Sequence, residues 1–276
     1  MSRFVLSCTT CATRGISTQG DDRDEVKACF RYAPRAGYKY WGMAGPPLWF
    51  IGGARWFDAR RVSGLAKRAG LKGCTEVYGP QFPTDSPAAA EEAAEEIARM
   101  FEVARDMRSP LVVITGGKRV GRSGLDASIA GVRRLLTLVR GMPVRLALEP
   151  HFGSQFQSRE DYDALFSALD DPQVGITVDT GHFHSAGVDW KALIRAYAPK
   201  ICNVHLKDHR GTQSVPVGAG EIDLKGVIET LHEISYEGAL AVELEVVDSQ
   251  NLPRYIAEAH DYLLRTVRDV TGRDPL

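Results

Sequence analysis

Eight short runs with strand character recur along the chain, and each is followed by a longer stretch with helical spacing. They are RFVLSC from Arg3, YKYWGM from Tyr38, CTEVY from Cys74, PLVVIT from Pro110, VRLALE from Val144, VGITVD from Val174, ICNVHL from Ile201 and ALAVEL from Ala239. Amphipathic segments between them include AAAEEAAEEIARMFEVARDM from Ala88, IAGVRRLLTLVRG from Ile129 and DLKGVIETLHEI from Asp223. Eight such pairs in 276 residues match a single α/β domain, a closed (β/α)8 TIM barrel of roughly 250 residues, over 1–276. An open doubly wound sheet would carry a glycine fingerprint after its first strand, and SCTTCATRGISTQGDD has no G-x-G-x-x-G. Only the polar tail TGRDPL is expected to fray.

The last four strands each end in a residue able to bind a hard divalent cation: Glu149, Asp179, His205 and Glu243. Side chains alternate along a strand, so Arg145, Ala147 and Glu149 share one face of VRLALE while Val144, Leu146 and Leu148 share the other. The same split recurs in the three strands that follow. With the bulky branched face turned to the helices, all four polar residues point inward at the carboxyl ends of strands 5 to 8. Taken singly, each could be a strand-end residue capping a loop. Taken together, buried carboxylates converging without a cation would repel one another, which favours bound metal. Three carboxylates and an imidazole with no thiolate lean towards Mn²⁺, with Mg²⁺, Co²⁺ or Zn²⁺ as alternatives.

The segments LALEPHFGS, VGITVDTGHFHSAGVD, ICNVHLKDHRG and VPVGAGEIDLKGVIETLHEISYEGALAVELE resemble the xylose isomerase-like TIM barrels, a broad group of sugar isomerases and epimerases that includes endonuclease IV. The resemblance implies one divalent ion held by Glu149, Asp179, His205 and Glu243, with the two glutamates also acting as the acid/base pair. It further implies substrate contacts from His182 of the D-T-G-H run and from a basic residue after the strand 7 histidine, Lys207 or Arg210. His151 is a further candidate for the substrate. Relatives often carry an acidic residue at the end of strand 2, whereas this chain has WGMAGPPLWF from Trp41. Trp41, Trp49, Phe50 and Trp56 are read either as an apolar wall for a hydrophobic sugar substituent or as packing residues.

Other signals are weaker. Cys8 and Cys11 form a lone C-x-x-C, and the five scattered cysteines are expected as free thiols. GGKRVGRSG from Gly116 lacks the P-loop ending and reads as a basic loop that brings Lys118 and Arg119 near the barrel mouth. His184 and His209 flank the ligand strands as loop histidines. Lys plus Arg number 34 against 35 Asp plus Glu, so the net charge of −1 gives no basic field for nucleic acid or acidic membrane. No run approaches the ~20 apolar residues of a membrane helix, and a cytoplasmic location is expected.

These readings converge on a metal-dependent sugar isomerase or epimerase with a small-molecule carbohydrate as partner, moving a proton beside a carbonyl through a metal-stabilised enediolate. A homo-oligomer or partner subunit is left open. The alternative is a lyase on a keto-sugar, resembling inosose dehydratases or 3-keto-C-glycoside deglycosidases. An endonuclease IV-like repair enzyme is remote, because strands 3 and 4 lead into EVYGPQF and VVITGG without the histidines a three-metal cluster needs. A barrel that binds ligand without catalysis is disfavoured by the two intact glutamates.

Overall fold

The computed structural model describes residues 3–16, 22–43 and 58–276. Eight parallel strands close on themselves: β1 (Arg3–Thr9), β2 (Tyr40–Met43), β3 (Gly73–Tyr78), β4 (Leu111–Thr115), β5 (Arg145–Glu149), β6 (Val174–Asp179), β7 (Ile201–Leu206) and β8 (Glu237–Val242). Each neighbours the next in chain order, and β8 returns to pair with β1 from Arg3↔Glu237 to Cys8↔Val242. All eight runs read from the sequence are strands of this (β/α)8 barrel.

Alternation sorts the residues as expected. Leu146 and Leu148 of β5, Ile176 and Val178 of β6, Val204 and Leu206 of β7, and Leu240 and Val242 of β8 are all buried in one apolar cluster. The opposite face fills the barrel with small or polar groups, among them Ser7, Thr75, Thr177 and Asn203, and Ser7 Oγ lies 2.9 Å from Thr75 Oγ1. This interior therefore depends on hydrogen bonding as well as on apolar packing.

The long helix Pro87–Met107 shows how the outer layer is specified. Ser86 accepts the amide of Ala89 at 3.2 Å, Pro87 opens the first turn, and Arg108 in the left-handed region ends the last one. Its buried stripe Ala90, Ala94, Ile97, Phe101 and Ala104 follows the 3–4 spacing of one helix face. Among the described residues, no helix is long and apolar enough to cross a membrane.

One sequence expectation needs adjusting. Strand β8 stops at Val242, so Glu243 lies one residue beyond it, yet its amide still donates to the Leu206 carbonyl at 3.2 Å and keeps the residue on the inward course. In the carboxyl-terminal tail, Gly272 turns the chain with φ 71°, Arg268 pairs with Asp274 at 2.6 Å, and the Leu276 amide donates to the Phe4 carbonyl at 2.9 Å.

Leu148 tests the sorting, because it is fully buried on the outer face of β5 while the next residue, Glu149, faces the interior. Leu148→Ala is expected to cost about 2–5 kcal/mol. A lower urea midpoint with an unchanged slope would show it.

Candidate metal centre and cavity

Each of the four inward residues is fixed by its local chain. Asp179 ends β6 and caps the short helix Thr180–Ser185, its Oδ1 accepting the His182 amide at 2.8 Å. Its Oδ2 is buried, makes no hydrogen bond, and has the Lys207 ammonium at 3.2 Å. Thr180 ties the ends of β6 and β7 together, donating to the Lys207 carbonyl at 2.6 Å and accepting the Lys207 amide at 2.9 Å. Gly181 is required by a close approach: a Cβ there would lie 2.5 Å from the His209 ring. The D-T-G-H run is thus a cap, a staple and a contact point in sequence. β7 places His205 level with Asp179 on one side and Ala241 on the other.

The donor atoms of Glu149, Asp179, His205 and Glu243 all lie within 4.8 Å of one another, and all four residues are buried. His205 Nδ1 faces Glu149 Oε1 at 2.6 Å, with Asp179 Oδ2 and Glu243 Oε2 each at 3.7 Å. An oxygen-rich donor set of this span, with the unsatisfied Asp179 Oδ2 in it, fits a divalent cation.

The electrostatics show what converging carboxylates cost. Burial, aided by Glu243 and Asp179, lifts the Glu149 pKa to about 8 against the pull of His205. Burial also disfavours a charged imidazole at His205, but Glu243, Glu76 and Glu149 outweigh it and hold its pKa well above the usual histidine range. The buried Lys207 ammonium is kept charged by Asp179, Glu243 and Glu245, with both glutamates at 3.0 Å. Glu245 responds in turn: burial raises its pKa, yet Lys207 brings it down to about 2. Burial, with Lys207 and His151 nearby, lowers the His182 pKa to about 3 against the pull of Asp179, so its ring is neutral.

A cavity of about 480 Å³ opens over this cluster, and its lining includes Glu149, Glu243, Lys207, His151, Tyr78 and Glu245. His151 packs on His182 with ring centroids 3.7 Å apart and planes tilted by 37°, and His182 Nε2 lies 3.3 Å from Lys207 Nζ. The expected residues Glu149, Asp179, His205, Glu243, His182, Lys207 and His151 therefore come together.

Two others do not. Trp41 is buried edge-on against Phe30 of the helix Asp22–Tyr32, with ring centroids 4.8 Å apart, because β2 turns it to the helix layer. Arg210 sits in a short hairpin (Asp208–Arg210 with Gln213–Val215), is exposed, and donates to the Ala219 carbonyl at 2.8 Å. Neither lines the cavity. Trp49, Phe50 and Trp56 fall outside the described residues. Arg119 pairs with Asp161 at 2.8 Å, and Gly117 and Lys118 are the residues of its loop that line the cavity. His209 is buried beside Ser185, and His184 lies 3.6 Å from Glu221. Cys11 approaches Glu245 at 3.6 Å while Cys8 turns to the Thr9 carbonyl, so the C-x-x-C does not converge, and all five cysteines are free thiols.

Several residues of the site carried no recognised motif. Tyr78 donates a short hydrogen bond to Glu149 Oε2. Glu76 Oε2 accepts a short hydrogen bond from Asn203 Nδ2 and lies 2.8 Å from His205 Nε2. The signals were the odd charged residue in CTEVY, the two-residue step from Glu76 to Tyr78, and the same step from Glu243 to Glu245.

Glu149 sets a pH dependence for chelator-treated protein. Its folded pKa is raised, so its contribution to stability is complete below the unfolded value near 4.5 and is lost as pH rises through about 8. His205, also raised, acts in the same direction, whereas Asp179 and Glu245, both lowered, do not titrate in that window. Thermal melting of the chelated protein is expected to fall from pH 6 to 9, and Glu149→Gln to flatten that slope.

Comparison with known proteins follows the same lines. A family model described as xylose isomerase-like TIM barrel matches residues 30–266. Inosose dehydratases are similar in sequence: that of Clostridium tetani is 31% identical over 153 residues, 48% of this chain and 51% of the relative. That of Geobacillus thermodenitrificans is 30% identical over 162 residues, 51% and 54% respectively. The chain spans about half the length of these curated relatives. Among solved structures, the IOLI protein with a zinc atom superposes with a TM-score of 0.78 at 18% identity, over 98% of this chain and 100% of that one. A structure of L-ribulose 3-epimerase gives 0.76 at 19% identity, over 99% and 96%.

Proposed function

The chain belongs to the xylose isomerase-like TIM barrel family, and from that premise we propose that it is a divalent-metal-dependent isomerase or epimerase moving a proton beside a carbonyl of a carbohydrate. The observation carrying this reading is that Glu149 and Glu243, at the ends of strands on opposite sides of the Asp179 and His205 pair, both line one cavity. In this reading Glu149, Asp179, His205 and Glu243 hold the ion, and Mn²⁺ suits their donor set best. A divalent ion there supplies Lewis acidity that makes the C–H beside the carbonyl easier to ionise.

The chain's own groups divide the remaining work. Glu243, beside the Lys207 ammonium, takes the proton from carbon and keeps it, and Glu149 delivers a different proton of its own to carbon. Delivery to the opposite face of the same carbon inverts it, and delivery to the neighbouring carbon converts aldose to ketose. Neutral His182, packed against His151 and next to Lys207, orients substrate hydroxyls. Tyr78 holds Glu149 from the cavity side.

A lyase is the second reading, and the sequence likeness to inosose dehydratases favours it. It shares the first step and differs only afterwards, when a β-hydroxyl departs as water with the proton that Glu149 would otherwise return to carbon.

Glu149→Gln and Glu243→Gln are each expected to lower turnover by several orders of magnitude, and His182→Ala to act mainly on substrate binding. Metal content, measured on every variant, separates loss of the base from loss of a ligand. About one ion per chain is expected from elemental analysis, with activity lost on chelation and regained with Mn²⁺ or Co²⁺. In D₂O, a panel of ketohexoses, ketopentoses and inososes followed by proton NMR should show deuterium entering the carbon beside the carbonyl. Label at an inverted centre identifies an epimerase, and release of water identifies a dehydratase. Turnover with complete retention of a substrate deuteron would overturn the two-glutamate scheme.

A further inference from the structure

We propose that Glu76 is a positioning residue for metal binding, holding His205 so that its Nδ1 is the ring nitrogen presented to the ion. The inference rests on the metal reading above. Glu76 is fully buried and does not line the cavity, so it meets no substrate. Its Oε2 lies 2.8 Å from His205 Nε2 and also accepts from Asn203, while its Oε1 has no hydrogen-bond partner. A buried carboxylate with a bare oxygen is destabilising where an apolar side chain would serve, so its presence calls for a role beyond packing.

That role follows from the geometry of the ring. A carboxylate acceptor at Nε2 requires the proton on that nitrogen, which leaves the Nδ1 lone pair free for an ion. Nδ1 is the nitrogen that faces Glu149, Asp179 and Glu243. Without Glu76, the Nε2 side keeps Asn203, whose Nδ2 lies 3.1 Å away and, as a donor, favours the opposite tautomer with the proton on Nδ1.

Two features of the chain serve this one carboxylate. Between the pairs Trp41↔Cys74 and Met43↔Val77, β3 holds one residue more than β2, and this bulge turns Glu76 into the interior beside Thr75. Opposite it, β2 offers Gly42, where a Cβ would lie 2.4 Å from Glu76 Oε1 and 3.0 Å from Cγ. The interior of β2 is thus left empty of side chain at the point that the carboxylate from β3 occupies.

The test is competition titration of the full chain with Mn²⁺ and with Zn²⁺ against a chromophoric chelator. It compares wild type with Glu76→Ala, Glu76→Gln and Gly42→Ala, with thermal melts of chelated and loaded protein alongside. Glu76→Ala is expected to weaken binding of the ion about 10- to 100-fold. Glu76→Gln should weaken it less, because its amide oxygen still accepts from Nε2. Gly42→Ala touches no ligand and should nevertheless weaken binding by displacing Glu76. In each, the rise in melting temperature on adding the ion should shrink, whereas a purely structural role would shift both melts equally. A slowly exchanging imidazole N–H proton of His205 should be visible by NMR in wild type and absent in Glu76→Ala. Folded variants that bind both ions within twofold of wild type would overturn the role of Glu76 alone. Wild-type protein that binds neither ion would overturn the metal reading, and this inference with it. Should Glu76→Ala fail to fold, the volume-preserving Glu76→Gln and Gly42→Ala decide.

Discussion

Mutual repulsion among carboxylates shut away from water is the constraint around which the carboxyl end of this barrel is arranged. Glu76, Glu149, Asp179 and Glu243 are buried within one small region, and Glu245 stands just outside it. In a medium of low dielectric such a group is tolerable only with positive charge or protons among it. The chain supplies some of both: Lys207 reaches three carboxylates, His205 lies between two more, and Glu149 retains a proton up to about pH 8. The resident cations are too few for the acids around them, and a divalent ion is the natural complement.

Much of this was legible because the barrel obeys a two-residue period. Placing Glu149, Asp179, His205 and Glu243 needed only parity along four strands and the fact that active sites of such barrels lie at strand carboxyl ends. Parity also explains where Trp41 lies. Trp41 and Met43 share the outward face of β2 with Gly42 between them, so the tryptophan belongs to the helix layer. Glu76 escaped notice because one additional residue in β3 breaks the alternation and turns Thr75 and Glu76 both inward, a change with no signature in composition. The hairpin after β7 turns Arg210 outward, while Lys207, three residues earlier, points into the site.

The loops at the carboxyl end of the barrel follow a different logic, in which one polar side chain organises several backbone amides. Asp208 accepts the amides of Gly218 and Gly220 at 2.9 Å and that of Ile222 at 3.3 Å, shaping the V-P-V-G-A-G-E-I-D turn. Asp161 does the same for Gln157 and Ser158 while pairing with Arg119. These anchors hold the rim in place without filling the cavity.

Asp179 shows how few residue types such an economy permits. One of its oxygens starts a helix, and the other is turned toward the cluster. Side chains that start helices well are serine, threonine, asparagine and aspartate. Of these, aspartate alone brings a second, anionic oxygen, while glutamate carries its charge on an arm too long for the cap. Two demands, each met by several amino acids, overlap in a single letter of the alphabet, so drift at this position has nowhere to go.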